Sequence, residues 1–255
     1  MSMDRIRLQS LLAGLGILGC LALTGCHVDI HAGSPVKVSG QASTSPGPGL
    51  SVPGTHKSAN TYRISSPVST VVVISHVGNI TVTGGSGSST SVTERATYSR
   101  KPPDTTRTIS GRTLTVTYTC PSQLVCAVAY AVQVPRGVTV RAQAGAGAVR
   151  LAGLAGNVTA TAKVGIIYAT GLSGSSASLT AYGGGISASF TAAPAMLRAV
   201  ARVGAVDLHV PGTVSYKVSA DAHVGHADVS VRQSSSSGHV ITAITDVGSI
   251  RISAT

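Results

Sequence analysis

A short line of sequence keeps returning, and it limits the fold more than anything else in the chain. It runs Val-Gly, a variable residue, an apolar residue, a variable residue and a second apolar residue. Val77-Gly78-Asn79-Ile80-Thr81-Val82 is the first copy. Ala146-Gly147, Val164-Gly165, Gly183-Gly184, Val203-Gly204, Val224-Gly225 and Val247-Gly248 head the others. From Gly147 onward these glycines recur every 18 to 23 residues, a period that belongs to stacked coils.

The residues around each glycine alternate with period two. Seven, five, three and one before Gly165 stand Val158, Ala160, Ala162 and Val164; before Gly204 stand Leu197, Ala199, Ala201 and Val203. Two and four after the glycines stand Val149 and Leu151, Ile167 and Ala169, Val206 and Leu208, Ile250 and Ile252. Such alternation is a strand with one buried face. A glycine between two strands supplies a corner. The repeat predicts an all-β fold, a right-handed parallel β-solenoid of two-strand coils stacked in chain order. An antiparallel β-sandwich is the alternative.

Ahead of the array, Val68–Val82 reads as strands with Val71, Val73 and Val77 on one face. Three further alternating segments are Val92 to Tyr98, Leu114 to Tyr118 and Val128 to Val134. The Gly84–Ser89 loop lacks the Lys-Ser/Thr and helix of a phosphate-binding loop.

The first residues read as an address. Arg5 and Arg7 precede an apolar stretch over residues 11–25 that ends Leu23-Thr24-Gly25-Cys26. A basic start and a short apolar core make a secretory signal, and its end resembles the bacterial lipobox. That resemblance implies cleavage before Cys26 and a diacylglyceryl thioether on its sulfur, with palmitate-type acyl chains. Two chains on one cysteine hold durably to a membrane. The expected location is the extracytoplasmic face of a bacterial cell membrane. Residues 1–25 are the lipoprotein signal peptide. Residues 26–66, rich in Ser, Pro and Gly, read as a lipidated, disordered tether. The folded domain is 67–255.

Export bears on the other two cysteines. Cys120 and Cys126 sit between two predicted strands, and an exported pair this close predicts a disulfide. The net charge of +11 comes from scattered Lys and Arg without a dense run. It suits an anionic envelope polymer or a surface protein as partner. Nucleic acid is excluded by the export signal and by the lack of a recognition motif.

The run Val128-x-Tyr-x-Val-x-Val-Pro-x-Gly137, followed by repeats of Gly-x-Val-x-Val and Val-x-Ala-x-Thr-x-x-Gly, resembles the bacterial putative-adhesin domain-of-unknown-function family. The resemblance covers about residues 67–254 and implies an adhesin-like β-solenoid in envelope-associated proteins. It brings no catalytic residues. Near the repeat glycines this chain carries His, Lys or Arg where the family usually has Asp or Ser.

Any site must lie on outward positions. In coils stacked in chain order Asp207 falls beside Asp228, with His209 and His226 two residues along. These four are the candidate metal ligands, and a metal- or anion-binding surface module is the second functional reading. Catalytic residues are not identified. The sequence has one glutamate, Glu94, no Trp and no Gly-x-Ser-x-Gly elbow. No cofactor is implied. The first reading is a non-enzymatic, lipid-anchored protein that presents a β-solenoid for adhesion, envelope interaction or sensing.

Overall fold

The computed structural model describes residues 54–255, all β and without a helix. Its strands are β1 (His56–Ile64), β2 (Thr70–Val77), β3 (Ile80–Gly85), β4 (Thr90–Tyr98) and β5 (Asp104–Ser110). β6 (Thr113–Thr119), β7 (Cys126–Pro135), β8 (Thr139–Ala146), β9 (Val149–Ala152) and β10 (Val158–Val164) follow. Next come β11 (Ile167–Leu172), β12 (Ser176–Gly183), β13 (Ile186–Phe190), β14 (Met196–Val203) and β15 (Val206–Val210). β16 (Lys217–Val224), β17 (Ala227–Ser230), β18 (Val240–Val247) and β19 (Ile250–Ala254) complete the chain.

Two mixed sheets result. Sheet I has the order β1-β4-β7-β3-β9-β11-β13-β15-β19-β17, and sheet II the order β16-β18-β14-β12-β10-β8-β2-β6-β5. From β8 to β15 the chain alternates between sheets, and each strand pairs in parallel with the strand two elements on. Antiparallel pairs occur only at one end, in β1–β4, β4–β7 and β5–β6. Two sheets face to face match the sandwich alternative; the mostly parallel pairing matches stacked coils.

The alternation explains the core. Inward residues of both sheets form one buried cluster. Sheet II contributes small side chains, such as Ala142, Ala160, Ala162, Ala199, Ala201 and Ala243. Sheet I faces them with larger ones, such as Leu151, Ile167, Ile186, Leu208 and Ile250. Large against small lets the sheets interdigitate without voids. Each fully buried Ile or Leu stabilises by about 2 kcal/mol. Two hydroxyls replace alanines in this layer, and both are satisfied. Ser75 donates to the Val128 carbonyl at 2.9 Å and Thr245 to the Gly204 carbonyl at 2.9 Å.

The glycine corner forms as the repeat predicts. Gly165 has φ 140°, and a Cβ there would fall on the carbonyl oxygen of Gly147. The coils are packed too closely at this column for any side chain. At the β6–β7 coil, which has no such glycine, a disulfide between Cys120 and Cys126 closes the connection, with Cα atoms 6.1 Å apart.

Four expectations change. First, the residue before each glycine does not face inward: Val164, Val203 and Val224 are 63%, 57% and 62% exposed, and Val77 is exposed too. The corner at the positive-φ glycine begins one residue early, so the alternation ends at the third residue before it. Second, β1 lies within residues 26–66, read as tether. His56–Ile64 lacks an apolar face, yet it pairs residue for residue with β4. Third, the coils do not stack in chain order. After β15 the chain skips a level to β16 and β17, and β18–β19 then fill the gap. The return passes along the outer edge, where Tyr216 N–H donates to Arg232 O and Ser234 N–H to Tyr216 O. Fourth, β2–β3 lies between β6–β7 and β8–β9 and not at an end of the stack.

Candidate functional site

The skipped coil redraws the outward face of sheet I. Asp207 stands opposite Arg251, and Arg251 opposite Asp228. The two aspartates are therefore two strand spacings apart, about 10 Å, with a guanidinium-bearing residue between them. This corrects the expected Asp207–Asp228 pair. His209 stands opposite Ser253 and not near His226, which precedes β17 at the corner. Among the described residues no group of three or more His, Cys, Asp or Glu stands close enough to hold a metal ion. The cause is topological: β19 sets Arg251 between the two aspartates, so Asp207, His226 and Asp228 border one depression of about 140 Å³ with a guanidinium-bearing residue among them.

The same face holds a Ser–His–Asp line. Ser253 Oγ and His209 Nδ1 are 2.9 Å apart, and His209 Nε2 stands 3.5 Å from Asp207 Oδ1. The second distance exceeds an N–H···O hydrogen bond, and that oxygen has no hydrogen-bond partner. Acyl transfer also needs free N–H donors for the oxyanion. β15 is bonded to β13 and β19, and β19 to β15 and β17, so the ladders use the backbone donors here. The line is a surface network on the outward face of sheet I.

An ion pair stands at the corner too. Arg202 pairs with Asp246 at 3.1 Å, and His223 Nδ1 lies 3.8 Å from the other oxygen of that carboxylate.

At the antiparallel end a different constellation closes the space between the sheets. The alternation of β4 turns Val92, Glu94 and Ala96 inward. Glu94 is 2% exposed. Arg107 on β5, across the core in sheet II, brings one nitrogen to both carboxylate oxygens at 3.0 and 3.1 Å. Its guanidinium lies 3.5 Å from the centre of the Tyr62 ring on β1. One side chain thus ties the last strands of both sheets. Tyr130 stands opposite Glu94, and its buried hydroxyl has no hydrogen-bond partner. Burial and then the Glu94 charge push its phenol well above the usual tyrosine range. The sequence signal for this latch is visible afterwards: the lone glutamate sits at an inward phase.

On the outside of these strands runs a trough of about 460 Å³ over β1, β4, β7 and β3. On β7 the small outward Ala131 forms its floor, with Val132 and Gln133 beside it. Longer side chains rise on both sides: Thr61, Arg63, Ser91, Thr93 and Arg95 on one, Thr81 and Thr83 on the other. The trough is hidden in the sequence, because residues 56–64 lack an apolar face and read as tether. The lipidation candidate Cys26 lies outside the described residues. No helix among the described residues is long and apolar enough to cross a membrane.

No protein-family model matches the chain, and no curated protein matches it. Solved structures are similar at low identity. A putative cell adhesion protein from Clostridium sporogenes is 11% identical, with a TM-score of 0.41, over 78% of this chain and 100% of that one. A putative adhesin from Bacteroides fragilis is 12% identical, with a TM-score of 0.43, over 77% of this chain and 97% of that one. A putative adhesin from Parabacteroides distasonis is 12% identical, with a TM-score of 0.36, over 76% and 97%. At these values neither a residue role nor an activity transfers.

Proposed function

We propose that this chain is a non-enzymatic, lipid-anchored protein of a bacterial cell envelope that presents a right-handed β-solenoid for adhesion, envelope contact or sensing. The anchor is the diacylglyceryl thioether at Cys26, and the tether between it and β1 sets the domain off the membrane surface. The observation that supports this reading is the outward face of sheet I. Parallel strands in register set its side chains in straight rows about 4.8 Å apart. A row such as Thr81, Arg150, Tyr168, Ser187, Asp207 crosses five coils. A stiff face of this kind suits recognition of an extended surface. It also leaves the backbone donors engaged, which suits binding better than acyl-transfer chemistry.

The test is metabolic labelling of cells with an alkyne fatty acid. The wild-type chain should carry label and fractionate with membranes. The Cys26→Ala chain should lose both. Equal labelling of the two chains would overturn the anchor, and a soluble wild-type chain would overturn the location.

A further inference from the structure

We propose that the trough over β1, β4, β7 and β3 is a binding site for an acidic polysaccharide, one whose sugars carry carboxylate or sulfate groups. This rests on the surface-presentation reading above and names its ligand class. The charge comes first. Arg63 and Arg95 line the trough, and among the described residues neither side chain makes an ion pair or hydrogen bond. No Asp or Glu lines it. The one acid on these strands, Glu94, points to the opposite side and is held by Arg107. Two guanidinium groups are thus left free for an anion, and their planar donor forks suit carboxylate or sulfate.

Spacing argues for a chain and against one small anion. Arg63 stands opposite Ser91, and Arg95 is four residues along β4 from Ser91. That separates the two arginines by about 13 Å along the strands. Between them Thr61 and Thr93 share a hydrogen bond of 2.9 Å and present hydroxyl oxygens. A second depression, over Ser86, Gly87 and Ser89, shares Thr83 and Gln133 with the first and prolongs it. The lining is hydroxyl, amide and guanidinium over Ala131 and Val132. This matches a polyhydroxylated chain with acidic groups set at intervals. A hydrophobic peptide would find no apolar pocket of size here.

The experiment uses the purified full-length chain in detergent, with immobilised polygalacturonate, dextran sulfate and neutral dextran. Saturable binding to at least one acidic polymer, and none to dextran, is expected. Polygalacturonate against dextran sulfate separates the carboxylate source from the sulfate source. The Arg63→Glu, Arg95→Glu double variant should bind at least tenfold more weakly. The Arg141→Glu, Arg198→Glu double variant changes net charge equally from outward sites on sheet II and should bind within twofold of wild type. Ala131→Phe fills the floor without changing charge and should also lose at least tenfold. Circular dichroism melts within a few degrees of wild type show that each variant is folded. Equal losses in the two charge variants would overturn the site in favour of general attraction to a basic protein. So would unchanged binding by Ala131→Phe. Binding to phosphatidylglycerol vesicles but to no polysaccharide would replace the ligand with a lipid surface. Cys26→Ala should bind polysaccharide like wild type, so failure of the anchor and failure of the trough are read separately.

Discussion

Removing Arg107 tests whether the end of the stack is held by one ion pair. Glu94 is almost wholly enclosed, while Arg107 keeps 27% of its side chain exposed. Arg107→Ala strands a buried carboxylate, a change that costs about 3 to 5 kcal/mol in protein interiors. Partial exposure of the arginine lets water reach the pair, so the low end applies. The stacked contact with Tyr62 adds about 1 kcal/mol, for a total of about 4 kcal/mol. Arg107→Lys keeps the charge but gives up the planar stack and part of the hydrogen bonding, and should cost about 2 kcal/mol. The double change Glu94→Leu, Arg107→Met removes both charges and fills similar volume. It should return to within about 1 kcal/mol of wild type. The assay is urea unfolding followed by far-ultraviolet circular dichroism and tyrosine emission, since the chain has no Trp. An Arg107→Ala variant within about 1 kcal/mol of wild type would refute the latch. So would a double variant as unstable as the single one, because that would place the loss in packing and not in an uncompensated charge.

Three other perturbations probe the glycine corners and the buried tyrosines. Gly165→Ala should destabilise by about 3 kcal/mol or more, because it combines φ 140° with a Cβ on the Gly147 carbonyl; Gly111→Ala, at φ 58° with nothing near its Cβ, should cost only about 1 to 2 kcal/mol, and urea midpoints compare the two. Tyr130→Phe removes a buried hydroxyl without a partner and should leave stability equal or raise it by about 1 kcal/mol, whereas Tyr216→Phe loses a 2.8 Å bond to the Pro211 carbonyl and should lower it by about 1 kcal/mol. Folding raises the Tyr130 phenol above its unfolded value of 10.0, mainly by burial; its contribution is therefore complete below that pH and lost as pH rises past it, so unfolding curves at rising alkaline pH should show a smaller loss for Tyr130→Phe than for wild type.

Much of the frame was legible because period-two alternation has one cause, a face in and a face out. Ala160, Ala162, Ile167 and Ala169 are buried as their spacing requires, and the Cys120–Cys126 link joins two cysteines that stand close together in one connection. What stayed hidden depends on partners, not on spacing. β1 has no apolar face and exists because β4 offers a row of backbone groups. The trough depends on β1 being there. Val164 and Val203 read as core by spacing, yet the corner geometry turns them out. Glu94 could have been flagged by its inward phase, but nothing in the sequence names Arg107 as the residue across the core.

The order of the coils is hidden in the backbone repeat, and the outward charges bear on it. In chain order Asp207 neighbours Asp228, and Arg202 neighbours His223. Like charges on adjacent strands destabilise, and opposite ones stabilise by up to about 1 kcal/mol a pair. Inserting the last coil between them changes both rows at once. One becomes Asp207, Arg251, Asp228, and the other Arg202, Asp246, His223. A single rearrangement separates the two aspartates and gives Arg202 a carboxylate neighbour in Asp246. Identical glycine corners allow either order, since Gly248 fits over Gly204 and Gly225 fits over Gly248 in the same way. The backbone repeat is thus degenerate, and the outward charges favour one stacking over the other. In such an array the residues between the repeat letters do two jobs: they present the surface, and they help set which coil lies next to which.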